Sequence, residues 1–98
     1  MENSIAKVLE QLANEPKVKG FLVTDWEGLC IASRGVAPSQ SAGWITSLAE
    51  ASLMLRKDMK TENKDPPFIQ VDLDKYVVAV RPMESVILAV YRETDGKQ

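Results

Sequence analysis

Histidine is absent from this 98-residue chain, and cysteine occurs once. Without imidazole there is no Ser–His or Cys–His nucleophile and no histidine metal site. A lone Cys30 makes no internal disulfide, which fits a reducing compartment. No apolar run approaches the ~20 residues that span a bilayer, so direct membrane insertion is not expected. The start, Met1-Glu2-Asn3-Ser4, has neither a basic opening nor a signal-peptide core, and position 2 lacks the glycine that myristoylation needs. A cytosolic protein is expected. A net charge of -2 with no basic stripe argues against nucleic-acid binding. No glycine-rich loop closes on Gly-Lys-Ser/Thr. Asp72 and Asp74 bring two carboxylates together near a strand end, fewer oxygens than a hard cation requires. The expectation is no enzyme, no cofactor and no metal.

What is present is an ordinary globular composition, 45% hydrophobic and 27% charged. At this length it is one domain, residues 1–98, with an ordered core expected over about 4–92. Asn3 or Ser4 is placed to cap a first helix. Ile5, Val8, Leu9, Leu12 and Ala13 make a single apolar stripe, and Pro16 stops the helix after Asn14-Glu15. Next comes Gly20-Phe21-Leu22-Val23-Thr24-Asp25-Trp26-Glu27-Gly28-Leu29-Cys30-Ile31-Ala32-Ser33-Arg34-Gly35. Two apolar runs flank a polar turn, a β-hairpin pattern in which Gly28 takes a left-handed conformation and the Asp25 carboxylate folds back onto turn amides. Both faces of the first run are largely apolar, as in a central strand. Cys30 reads as a small buried hydrophobe of the second strand.

Ser39 or Ser41 is placed to cap a long second helix that runs to about Lys57 or Asp58. At ~100° per residue, Thr46, Ser47, Glu50, Lys57 and Asp58 share one narrow polar face. Ala42, Trp44, Ile45, Leu48, Ala49, Ala51, Leu53 and Leu55 fill most of the rest, interrupted by Ser52 and Arg56. The apolar arc covers roughly 200°, about twice what a surface helix uses against its own sheet. The excess implies two contacts, one to the chain's own sheet and one to another subunit; Trp44 serves either as an interface anchor or as core. Residues 57–65 read as a solvated helix end and loop. Pro66-Pro67 opens an edge strand, Phe68–Leu73. Two β-branched runs follow, Tyr76–Arg81 and Val86–Arg92, as a meander, with a frayed tail from Thr94. The order helix, two strands, helix, three strands packs economically as an α+β fold, a five-stranded antiparallel sheet with the long helix across one face.

Gly20, Leu22, Thr24-Asp25, Gly28-Leu29, Arg34-Gly35, Ala42-Gly43, Ile45 and Leu48-Ala49 together resemble the roadblock/LC7 (dynein light chain) family, over roughly residues 4 to 92. Trp44 stands where small or aliphatic residues are common in relatives. The resemblance implies a profilin-like fold that dimerises through the long helix and the edge strand. It also implies a non-enzymatic scaffold subunit of a Ragulator-like complex, heterodimeric with another roadblock-fold subunit and held by a wrapping, lipid-anchored scaffold subunit. Through that complex it helps dock Rag-type small GTPases at the lysosomal surface for nutrient signalling to TOR. A dynein-associated light chain, or a homodimeric regulator of a Ras-like GTPase, is the alternative. The expected partner interface is Trp44, Leu48, Ala51 and Leu55 on the helix with Phe68, Ile69 and Val71 on the strand. Leu48→Glu is expected to abolish dimerisation without unfolding the monomer.

Overall fold

A computed structural model describes residues 2–59 and 67–94, with side chains from residue 6 onward. The elements are α1 (Glu2–Ala13), β1 (Val18–Asp25), β2 (Cys30–Gly35), α2 (Ala42–Met59), β3 (Ile69–Asp72), β4 (Tyr76–Pro82) and β5 (Val86–Glu93), with a 3-10 turn over Ser39–Ser41. The five strands form one antiparallel sheet in the order β2-β1-β5-β4-β3. The expected α+β architecture is present, and the strand that follows the prolines lies at an edge.

The sheet separates two apolar clusters, as the alternation of strand side chains requires. On one face Leu22, Val78, Val80, Ile87, Ala89 and Tyr91 meet Ala42, Ile45 and Ala49 of α2. On the other, Phe21, Val23, Leu88 and Val90 are covered by Val8, Leu9 and Leu12 of α1. Cys30 is half-buried and packs on the edge of the α2 cluster.

Several local expectations are corrected. Helix α1 already includes Asn3 and Ser4, so neither is the residue before its first turn. Ala13, expected in the stripe, is exposed because the helix ends there, beyond the sheet contact. Ser39 and Ser41 lie within the 3-10 turn, whose N-cap is Pro38, with no side-chain cap. Phe68 and Leu73 flank β3 outside its ladder. Thr94 is held rather than frayed: its amide donates to the Lys75 carbonyl at 3.0 Å and its hydroxyl to the Asp74 carbonyl at 3.1 Å. The charged loop expected after Met59, and the tail after Thr94, lie outside the described residues.

Burial of Tyr91 raises its phenol above the ordinary 10.0 because the anion loses hydration. A proton bound more tightly in the folded chain gives stability that is intact below about pH 10 and falls as pH climbs through the raised value. Urea midpoints measured across alkaline pH are expected to decline, and Tyr91→Phe is expected to flatten the decline.

Candidate partner interface

Asp25 closes the turn between β1 and β2. The Glu27 and Leu29 amides both donate to its Oδ1 at 2.9 Å, and Gly28 sits at φ 90°. This is the expected turn, built from local residue chemistry. Asp25→Ala removes an acceptor of two amides and is expected to lower stability by about 1–2 kcal/mol. Asp25→Asn, which keeps one carbonyl oxygen, should retain most of that in a urea titration.

Thr46, expected to face water, does not. It is 5% exposed, and its hydroxyl donates to the Asp25 carbonyl at 3.1 Å. Beside it, buried Thr24 donates to the Leu29 carbonyl at 2.9 Å. The two hydroxyls stand 3.5 Å apart with each proton directed at a carbonyl. The turn carbonyls need donors away from water, and the first turns of α2 supply one. Ser47, Glu50, Lys57 and Asp58 are exposed as expected. Trp26 points inward and donates its indole N–H to the Met83 carbonyl at 3.2 Å, joining the hairpin tip to the β4–β5 turn.

With Ala42, Ile45, Thr46 and Ala49 turned to the sheet, the opposite side of α2 carries Trp44, Leu48, Ala51 and Leu55. These positions recur at i, i+4, i+7 and i+11 and form one stripe. Trp44 is 76% exposed and Leu55 67%, so Trp44 fills none of the core. Ala51 is exposed, while Leu48 is half-buried against the α2-side core. Met59, also 76% exposed, continues the stripe one turn beyond Leu55. The charged residues around Met59 mask it in the sequence, although the four-residue step from Leu55 marks it. The stripe from Trp44 to Met59 is about 22 Å long at the helical rise.

The strand residues divide. Ile69 pairs with Val80 and Val71 with Val78, which places both on the α2 face; both are half-buried, and Ile69 packs against the core. Phe68 lies on the opposite, α1 side, where the Arg81 guanidinium sits 5.1 Å from its ring centroid. The structure therefore gathers Trp44, Leu48, Ala51, Leu55, Ile69 and Val71 on one side of the molecule and sets Phe68 apart from them.

Asp72 Oδ1 accepts the Asp74 amide at 2.9 Å, a local turn contact. Among the described residues no three His, Cys, Asp or Glu side chains gather as a metal site. No helix there is long and apolar enough to cross a membrane.

The fold is shared with the roadblock/LC7 domain from Streptomyces avermitilis, at a TM-score of 0.71 and 16% identity over 91% of this chain and 77% of that one. It is also shared with MglB of Myxococcus xanthus, at 0.72 and 20% over 89% and 68%. At such identities the likeness speaks for the fold alone. Sequence relatives are nearer. A Ragulator complex protein LAMTOR5 homolog of Ixodes scapularis is 32% identical over 91 residues, 93% of this chain and 94% of its own. One from Nematostella vectensis is 26% identical over 94% and 97%, and the LAMTOR5 of Xenopus tropicalis 27% over 96% and 99%. The family pattern described as Ragulator complex protein LAMTOR5 matches residues 1–92. The chain belongs to the LAMTOR5 family of Ragulator complex proteins.

Proposed function

We propose that this chain is a non-enzymatic scaffold subunit of a Ragulator-like complex, pairing through α2 and β3 with another roadblock-fold subunit. Together they help dock Rag-type small GTPases at the lysosomal surface for nutrient signalling to TOR. Attachment to the membrane comes from a separate lipid-anchored subunit that wraps the pair. The observation that carries the pairing is the exposed stripe Trp44-Ala51-Leu55-Met59 on a helix whose other side is committed to the sheet. Large apolar side chains aligned on one exposed face mark an interaction surface. Membership of the LAMTOR5 family supports the choice of complex.

The test is affinity capture of the tagged full chain from cells that express it, with mass spectrometry of what co-purifies. A second small roadblock-fold chain together with Rag-type GTPases is the expected result. Dynein chains, or only the chain itself with a different small GTPase, would replace this reading.

A further inference from the structure

Thr24 and Thr46 are the buried polar side chains among the described residues, and they adjoin, their hydroxyls 3.5 Å apart. Each proton goes to a carbonyl of the β1–β2 turn, that of Thr24 to Leu29 and that of Thr46 to Asp25. The Asp25 carbonyl also accepts the Gly28 amide at 3.2 Å, so it would not be left bare without Thr46. Supplying that carbonyl is therefore not the whole use of a hydroxyl on the buried face of α2.

The apolar part of the α2 contact chooses its own position poorly. The side chains buried there are Ala42, Ile45, Thr46 and Ala49. Displaced by three residues along the helix, Ile45, Leu48, Ala49 and Ser52 repeat the same spacing, again with one hydroxyl among apolar groups. Exchanging one set for the other takes a shift of about 4.5 Å and a turn of about 60°. Apolar burial is non-directional and accepts either set; the hydrogen bond does not. In the shifted setting Ala49, which has no donor, would stand where Thr46 meets the Asp25 carbonyl. The Ser52 hydroxyl would fall at the place of Ala49, and it already bonds the Ala49 carbonyl of its own helix at 2.7 Å. We infer that Thr46 is a positioning residue whose bond to the Asp25 carbonyl fixes the register of α2 on the sheet, and with it the direction in which the Trp44–Met59 stripe faces.

A single directional contact set among apolar ones is a known way to specify register. Here the grip is confined to one end of the helix. No residue of α2 after Ala49 is buried, and Met59 lies about 20 Å from Thr46 along the axis. In the shifted register Leu48 would turn inward and the stripe would swing by about 60°. The consequence for pairing rests on α2 being the pairing helix; the register role does not.

The test is methyl relaxation dispersion by NMR on the full chain, since helix register shifts fall in the μs–ms window that it reads. Thr46→Val keeps the shape and removes the donor. It is expected to bring exchange broadening to the methyls of Ile45, Leu48 and Ala49, from a minor state of about 1–10%. The methyls of Val23, Leu88 and Val90, on the α1 side of the sheet, should stay sharp. Thr46→Ser restores the hydroxyl and is expected to restore sharp α2 signals, as in the unchanged chain. A lowered urea midpoint with sharp α2 signals in Thr46→Val would make Thr46 a stabilising contact only and overturn the proposal. So would broadening on both faces, broadening that Thr46→Ser shares, or loss of the fold in Thr46→Val. Broadening that varies with protein concentration would belong to self-association and overturn it as well. The measurement needs no partner, so a failure of pairing through α2 would leave its outcome unaffected.

Discussion

Gly35→Ala is expected to lower stability by about 2–4 kcal/mol. Gly35 has φ 65°, in the left-handed region, where a side chain alone costs roughly 1–2 kcal/mol. The remainder comes from crowding. A Cβ there would overlap the Lys19 carbonyl and lie 2.9 Å from the Gly20 Cα, and that same carbonyl accepts the Val36 amide at 3.0 Å. Gly20 and Gly35 are register partners across β1 and β2, and a Cβ on Gly20 would come within 2.6 Å of the Arg34 carbonyl. Backbone faces backbone on both sides, so relief requires parting the strands. Thermal unfolding should show a loss of about 10 °C or more for a domain of this size. Gly28→Ala is the comparison. Its φ is 90°, but the added Cβ would meet only the Gly43 Cα at 3.6 Å, so about 1 kcal/mol is expected from the dihedral alone. Equal losses at the two glycines would show that crowding between the strands contributes nothing.

Leu55→Glu carries the second large effect, on assembly rather than folding. With 67% of its surface exposed, Leu55 has little packing within the chain to lose. Against an apolar partner helix the new carboxylate would be desolvated without a counter-charge, and an expected cost near 3 kcal/mol corresponds to a more than hundredfold weaker Kd. Light scattering should report the loss of the paired species while circular dichroism stays unchanged. Unchanged mass with the fold intact would move the interface off this stripe. Leu48→Glu, the substitution suggested by the sequence, is a less clean test because Leu48 packs against the α2-side core; it should lower monomer stability as well as assembly. Spacing along the stripe adds a geometric expectation. Trp44 and Met59 lie equally far from Ala51-Ser52, as do Leu48 and Leu55. A partner helix of similar pattern crossing antiparallel there would set large residues against large ones around a small centre. Ala51→Arg should then weaken pairing comparably.

Features governed by neighbours in the chain are legible in the sequence. The Asp25–Gly28 turn, the edge position of the strand after Pro66-Pro67 and the order of elements all follow from residue type and short-range periodicity. The double-sided character of α2 is also visible there, since its apolar arc exceeds what one contact uses. Thr46 is not legible, because nothing on its own helix reveals that the Asp25 carbonyl will be waiting beside it. Thr94 escapes for the same reason, its partners lying in the β3–β4 turn. The division of Phe68 from Ile69 and Val71 is different: a two-residue strand period separates 68 from 69 and 71 in part. That signal sets Ile69 and Val71 on one face and Phe68 on the other, so the sequence alone could have split the expected interface. Helix α1 begins earlier than its polar capping candidates suggest, a boundary that local preference places poorly.

The last strand in chain order is the middle strand of the sheet. β5 joins β1, made about sixty residues earlier, to β4. During synthesis the β1–β2 hairpin and both helices leave the ribosome with Phe21, Leu22 and Val23 still lacking the strand that flanks them. At ~5–20 residues per second, that interval lasts on the order of 3–12 s. The nascent chain therefore carries an open, apolar strand edge until Val86–Glu93 emerges, and its sheet closes in one late event rather than growing strand by strand.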